Sequence, residues 1–366
     1  MLEQGVATAP DAHAKLAPSS ASRWVACPGS VGLESLIPEP PQSEAAREGT
    51  EAHDVAAQML ASWPRYDPGW FPSEPQEACR VYCELVAPLG ELGTLHIESR
   101  EQYTADIWGT VDAWVFDANR NAVYVADFKY GFAPVEALEN WQLIAYAAAV
   151  AQRINPTPAT YFELIICQPR AWHIEGRIRR WGVTWAELQP YISDLAVAAL
   201  QAMAPGAPTK TGPHCKYCKA RYSCVTLQRA AAEAMQYAGV ASPLPRNPEA
   251  MAVELHLLRQ AAELIDYRLN GYYAEAERMA REGQALPGWR MAYGGGRYKW
   301  TRPTAEAVAL GQLYGVDIMK PPEPITPAQA RDKGIPADVL KQYSERLPGK
   351  ARLEPVDTAA LGKVFR

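Results

Sequence analysis

No stretch of the 366 residues approaches the ~18 consecutive apolar side chains that a bilayer-spanning helix needs. This argues against a transmembrane segment and against a membrane partner. The opening MLEQGVATAPDAHAKLAP lacks the basic and apolar regions of a secretion signal, so the expected location is the cytoplasm. An excess of positive charge is also missing: 36 Lys and Arg stand against 41 Asp and Glu, a formal net charge of −5. Nucleic-acid contact must then rest on local basic clusters or on bound metal. There is no P-loop, because Gly294-Gly295-Gly296 is not followed by the Gly-Lys-Ser/Thr that opens a phosphate-binding helix. Any ATP-driven unwinding would need a partner. The 7 cysteines are odd in number. Without a secretion signal they point to metal binding or free thiols rather than a disulfide framework.

What is present indicates a globular chain. Hydrophobic residues make up 48% and aromatics 10%, enough for a sizeable core with an appendage. The densest chemistry lies in 107–146. Ile107, Val111, Ala113 and Val115 alternate with Thr110, Asp112 and Trp114, the pattern of a half-buried strand. Asp117, Asn119 and Asn121 supply turn chemistry. Val123, Val125 and Ala126 then open a second strand that ends in Asp127-Phe128-Lys129. Asp127 and Lys129 are two apart and share a strand face, and Asp112 can sit beside Asp127 across the hairpin. Two carboxylates suit a hard cation such as Mg²⁺ or Mn²⁺. A lysine beside it can orient water or stabilise developing negative charge. Taken alone, an Asp-x-Lys triplet is short and common and reads first as a solvated surface pair.

Residues 43–62 predict a helix with Ala46, Gly49, His53, Ala56, Ala57 and Leu60 on one face. A histidine there is either a hydrogen-bonded core residue or a ligand. A second helix over 76–90 carries Cys79 and Cys83, read as buried thiols. A strand over 95–103 can bring Glu98 or Glu101 toward a metal, and alternation does not choose between them. The helix over 136–152 places Gln142 and Tyr146 on one face. Strands over 159–168 and 172–181 and a helix over 185–203 follow. The second of these strands holds Arg177, Arg179 and Arg180, the densest basic cluster. It is either a DNA-facing edge or charge that blocks edge-to-edge aggregation. Further on, Cys215-x₂-Cys218-x₅-Cys224 offers three thiols, one short of a four-thiolate centre. Lys216, Lys219 and Arg221 surround it and are candidate phosphate contacts.

Gly49-Thr50-Glu51-Ala52-His53, Gly109-Thr110-Val111-Asp112, Asp127-Phe128-Lys129 and Gln142-x₃-Tyr146 fall in the order of the motifs of RecB-type PD-(D/E)XK nucleases. Residues 20–225 resemble that family. The resemblance implies an α/β PD-(D/E)XK (restriction-endonuclease-like) core with flanking helices. It implies a divalent ion, Mg²⁺ or Mn²⁺, held by His53, Asp112, Asp127 and the Phe128 carbonyl. Lys129 would be the catalytic lysine, with Gln142 and Tyr146 against the substrate backbone. Cys27 precedes this core and the other three cysteines follow it. That arrangement is similar to the cluster-bearing members, including AddB-type and CRISPR-adaptation nucleases. There Cys27 would be the fourth ligand, and a [4Fe–4S] cluster would staple two ends of the domain roughly 190 residues apart. Zinc at the cysteines is the alternative.

The function expected from the resemblance is metal-dependent hydrolysis of DNA, by an exonuclease acting at ends in phage recombination, replication or repair. Helicase, single-strand-binding or annealing proteins are its expected partners in the bacterial host cytoplasm. The rival reading is a non-catalytic iron–sulphur DNA-binding or scaffolding subunit. The expected organisation is a flexible N-terminus (1–18), a nuclease core with the cluster (19–240), and a mainly helical extension (241–366). The extension should hold a long charged helix over 249–283 and helical stretches near 303–314 and 326–344. A short β-hairpin is expected across the triple glycine, with Arg297, Tyr298, Lys299 and Trp300 on it. Residues 287–366 resemble the C-terminal part of a phage and prophage family with a RecB-type core.

Overall fold

Five strands lie in chain order across one mixed sheet: β1 (His96–Gln102), β2 (Trp108–Asp117), β3 (Ala122–Phe128), β4 (Tyr161–Cys167) and β5 (Ile178–Thr184). This is a computed structural model describing residues 14–65, 73–240, 247–293, 298–300, 302, 304–320, 323–324, 326–346 and 351–355. The chain divides into two units, Met1–Arg268 and Leu269–Arg366. The helices of the first are α1 (Ala21–Ala26), α2 (Ser30–Glu34), α3 (Glu44–Ala61), α4 (Ser73–Val86), α5 (Trp141–Ile154), α6 (Trp185–Met203) and α7 (Val225–Gly239). A further helix, α8 (Pro248–Arg281), crosses the division.

Only the β3–β4 pair is parallel; the other neighbours in this sheet are antiparallel. A parallel pair requires a crossover, and α5 supplies it. The helix starts at Trp141, later than its apolar pattern suggests, because the Asn140 side chain caps it by accepting from Gln142 N and Leu143 N. One core cluster gathers Trp24, Val111, Trp114, Val125, Leu143 and Phe162. The other gathers Val55, Met59, Tyr82, Ala113, Phe128 and Ile165, with α3 and α4. Cys79 and Cys83 donate to Ala52 O and Ala56 O of α3, and burial pushes both thiols up to about 12. They stay protonated and hold α4 on α3.

The β2–β3 register sets Ala113 opposite Ala126, so one step further Asp112 comes beside Asp127. The expected uniform alternation of β2 does not hold. Val111 and Trp114 enter the first cluster and Ala113 the second. The break coincides with a gap in the β1–β2 ladder: Ile97 pairs with Ala113 and Ser99 with Val111, while Glu98 and Asp112 between them are unpaired. Glu98 has φ +45°, a region that residues with a Cβ avoid.

Three expectations are corrected. The strand expected over 172–181 begins only at Ile178. Gly176 at φ +87° turns the chain before it, and Ile174 is exposed. Arg179 is not a DNA-facing residue, being 1% exposed. Its Nε donates to Val135 O at 2.6 Å, Nη1 to Gly176 O at 3.1 Å and Nη2 to Gln168 Oε1 at 2.5 Å. Gln168 Nε2 in turn donates to Gly131 O and Ala133 O. Together the two side chains clamp the loop that follows Lys129. Arg179→Ala should therefore cost roughly 3 kcal/mol of stability, since it strips charge-assisted hydrogen bonds from buried acceptors. Urea unfolding checks this, and the salt slope of any DNA binding should not change. The third correction concerns the flexible N-terminus. Residues 1–13 lie outside the described residues, but Leu16 is buried in the first cluster and its N–H donates to Asp106 O at 3.0 Å.

The second unit holds α9 (Thr304–Leu313), α10 (Pro327–Asp332) and α11 (Ala337–Leu340) around a core of Ala307, Leu310, Ile318, Ala330, Ile335 and Leu340. Its strands are β6 (Trp289–Tyr293), β7 (Tyr298–Trp300), β8 (Met319–Lys320), β9 (Glu323–Pro324), β10 (Ser344–Arg346) and β11 (Ala351–Pro355). Among the described residues, β6 and β7 do not pair with each other as the expected hairpin would require. β6 pairs with β11 and β7 with β10, both antiparallel. In these registers Glu354 stands opposite Arg290 and Glu345 opposite Lys299. Residues 294–297, including Arg297, lie outside the described residues.

Candidate metal and active site

The acidic site forms where the sheet ends of β2 and β3 meet α3 and α5. Asp112 extends from β2, Asp127 from the end of β3, His53 from α3, and Gln142 with Tyr146 from α5. Gly109 lets β2 pass close beneath its neighbours: a Cβ there would lie 3.0 Å from Pro18 and 3.4 Å from the Tyr146 ring. His53 Nδ1 lies 3.3 Å from Asp112 Oδ1 and 3.9 Å from Glu98 Oε1. Asp112 Oδ2 accepts the Phe128 backbone N–H at 2.6 Å, which fixes the carboxylate plane against the β3 backbone. The Phe128 ring packs on His53 with centroids 5.4 Å apart.

Gln142 is the hub of the other half. Its Nε2 donates to Asp127 Oδ1 at 2.8 Å and to Tyr146 Oη at 3.0 Å, while its Oε1 accepts from Lys129 Nζ at 2.9 Å. Lys129 Nζ also lies 2.8 Å from Asp127 Oδ2, although it does not reach that oxygen in hydrogen-bonding geometry. The structure thus brings together His53, Asp112, Asp127, Lys129, Gln142 and Tyr146.

Burial opposes protonation of His53, but the hydrogen-bonded carboxylates of Asp112 and Glu98 outweigh it and push the imidazole up to about 10. Burial also raises the Asp127 carboxyl, against the pull of Lys129. The Tyr146 phenol is raised first by burial and then by the charges of Asp127 and Asp112. Among the described residues, one three-ligand group has its donor atoms within 4.8 Å of one another: His53, Glu98 and Asp112. Two buried polar atoms near it, Asp127 Oδ2 and Tyr82 Oη, receive no hydrogen bond. A histidine, several carboxylates and a buried oxygen without a hydrogen bond form a donor set that fits a hard or borderline divalent cation.

A pH signature follows. A cation ligated by His53 would have to displace its proton, so Mn²⁺ affinity should rise with pH up to about 10, with release of a proton. Calorimetry in buffers of different ionisation enthalpy checks this; affinity that ignores pH, with no proton released, would remove His53 from the ligand set. The same raised value stabilises the cation-free fold below the unfolded histidine value, and that contribution is lost as pH rises through about 10.

Glu98 was one of two candidates that alternation could not separate. Its positive φ turns it out of the regular strand pattern, which no sequence signal marks. Glu101 lies elsewhere: its Oε1 accepts from Arg153 Nη1 at 2.8 Å and Trp114 Nε1 at 3.0 Å.

The cysteines occupy a separate place. Gly29 approaches the 207–209 segment so closely that a Cβ would lie 2.5 Å from Ala207 O, and its N–H donates to Pro208 O at 2.9 Å. This brings Cys27 to Lys210, whose N–H donates to Cys27 Sγ at 3.3 Å. Lys210 O also lies 4.0 Å from Cys215 Sγ. Glu34 pairs with Arg23 at 2.7 Å and accepts from Lys219 N at 2.8 Å. Cys27, Cys215, Cys218 and Cys224 are all buried, and burial, then Glu34, pushes Cys218 up to about 12. Of the basic residues here, Lys219 pairs with Glu39, Arg221 donates to Lys216 O, and the Lys216 ammonium sits 5.2 Å from the Tyr217 ring centroid. Arg180 pairs with Glu163, and Arg177 is exposed. A groove of about 880 Å³ beside Arg23, Glu34 and Lys219 contains none of the acidic-site residues.

The family model described as "Protein of unknown function (DUF2800)" matches residues 13–67 and 72–356. The chain belongs to this family. In this DUF2800 member both the acidic site and all four cysteines fall within the matched residues. A crystal structure described as "Putative exonuclease" from Eubacterium rectale is similar at 12% identity and a TM-score of 0.33, covering 51% of this chain and 79% of that one. No helix among the described residues of the DUF2800 chain is long and apolar enough to cross a membrane.

Proposed function

We infer that the protein is a divalent-metal-dependent DNA nuclease of the PD-(D/E)XK type, acting at DNA ends. The observation that carries this reading is Gln142, which joins Lys129, Asp127 and Tyr146 beside Asp112 and His53. A surface ion pair would need no such support. His53, Asp112 and Asp127 would hold Mg²⁺ or Mn²⁺, with the Phe128 carbonyl as a further donor. The bound cation supplies Lewis-acid polarisation of the phosphate oxygens. Lys129, held by Asp127 and Gln142, presents a fixed positive charge that orients the attacking water and stabilises the charge building on the phosphate. Water adds to phosphorus, the P–O bond to the leaving nucleotide breaks, and that oxygen takes up a proton. Tyr146, kept as a neutral phenol, and Gln142 position the backbone.

The four cysteines are proposed to carry a [4Fe–4S] cluster that ties α1 to the segment after α6. Anaerobically purified protein should be brown, and Cys27→Ala should lose its iron; iron kept in Cys27→Ala would refute the staple. The setting proposed is phage recombination, replication or repair in a bacterial cytoplasm, beside helicase, single-strand-binding or annealing proteins. Incubation with end-labelled DNA tests the nuclease reading: Mn²⁺ should support cleavage and EDTA should stop it.

A further inference from the structure

We propose that Glu98 is a direct ligand of the divalent cation, placing the ion among the His53 imidazole and the carboxylates of Glu98 and Asp112. The proposal rests on the metal-dependent reading above and adds a ligand that the sequence motifs do not contain. Three different elements, α3, β1 and β2, converge here, and one donor atom from each lies within 4.8 Å of the others. Both carboxylates approach the same nitrogen: His53 Nδ1 is 3.3 Å from Asp112 Oδ1 and 3.9 Å from Glu98 Oε1. Asp112 turns Oδ1 this way because Phe128 N–H holds Oδ2.

Asp127 is engaged differently, with Gln142 on Oδ1 and Lys129 beside Oδ2. Its Oδ2, 1% exposed as a side chain, still lacks a hydrogen bond, as does the buried Tyr82 hydroxyl. The acidic centre thus buries a carboxylate oxygen whose one charged partner is the Lys129 ammonium, beside a Tyr82 hydroxyl without a hydrogen bond, and a cation would give such atoms a further partner. The backbone agrees. The β1–β2 ladder is interrupted at Glu98 and Asp112, and Glu98 takes φ +45°, a conformation that a glutamate adopts at a cost. A nitrogen donor with carboxylates suits Mn²⁺ at least as well as Mg²⁺.

The test is titration of the full-length chain with Mn²⁺, followed by calorimetry and by loss of the free-Mn²⁺ paramagnetic resonance signal. Glu98→Gln should weaken binding by about tenfold or more, and Asp112→Asn should weaken it at least as much. Glu51→Gln, which removes an exposed acid from the same helix as His53, should leave binding unchanged. Glu98→Gly is the second variant. Glycine accepts the positive φ, so this protein should fold and still bind Mn²⁺ weakly. Circular dichroism of the cation-free proteins checks that each is folded. If Glu98→Gln and Glu98→Gly bind Mn²⁺ like wild type while Asp112→Asn does not, the Glu98 proposal falls and the metal site stands. If wild type itself binds no Mn²⁺, the metal reading falls and takes the Glu98 proposal with it.

Discussion

Asp112→Asn should reduce cleavage to the background seen without metal, the largest loss expected of any single substitution here. Three roles meet in this carboxylate. Its Oδ2 accepts the Phe128 N–H at 2.6 Å, its Oδ1 stands 3.3 Å from His53 Nδ1, and its charge helps hold His53 protonated until a cation displaces the proton. Asparagine preserves shape and can still accept from Phe128, so the fold should survive. Alanine would leave that buried N–H without a partner, costing about 1–3 kcal/mol. Asparagine therefore separates chemistry from folding better than alanine does. Neutralising the carboxylate removes the charge that a divalent ion requires. Cleavage rate and Mn²⁺ affinity should fall together, while circular dichroism of the metal-free protein remains that of a folded chain. Full cleavage by Asp112→Asn would remove this residue from the mechanism.

Lys129→Ala should slow cleavage by about a hundredfold or more, the range typical of removing one preorganised electrostatic contact, while DNA affinity changes little. Lys129 is held from two sides, by Asp127 and by Gln142. Its charge is thus already positioned before substrate arrives, which is what makes it effective in the transition state. As one phosphate contact among several, it contributes little to the counterion-release component of binding. The salt slope of binding should accordingly change by less than about one unit. Single-turnover kinetics with saturating DNA separate the two effects. Lost affinity, with bound DNA still cut at the normal rate, would make Lys129 a phosphate clamp only. Gln142→Leu should resemble a weaker Lys129→Ala, since it removes one of the two restraints on the ammonium.

The parts of this site that were legible in the sequence are those tied to regular periods. Asp127 and Lys129 share a face because the strand period is two, and Gln142 meets Tyr146 because the helix brings residues four apart together. Asp112 reaches Asp127 because the hairpin register follows from its turn chemistry. Glu98 was legible only as one of two candidates with Glu101, because a positive φ and an unpaired ladder step suspend the alternation on which any strand argument depends. Arg179 misled for a related reason. Basic residues on a strand suggest a solvated edge, yet the guanidinium is consumed by carbonyls of a loop far off in sequence, and local pattern carries no record of that loop. The partners of β6 and β7 were equally hidden. A triple glycine suggests a turn between neighbours, whereas the strands pair with later segments.

The most direct measurement of the central claim is a time course of DNA cleavage by anaerobically purified wild type and Asp112→Asn, prepared side by side. Single- and double-stranded DNA labelled at either end would each be incubated with Mn²⁺ and with EDTA. The account predicts release of label by wild type with Mn²⁺ alone, and none by Asp112→Asn under any condition. Cleavage that persists in EDTA or in Asp112→Asn, or a wild type that binds Mn²⁺ and DNA yet cuts no substrate, would contradict it.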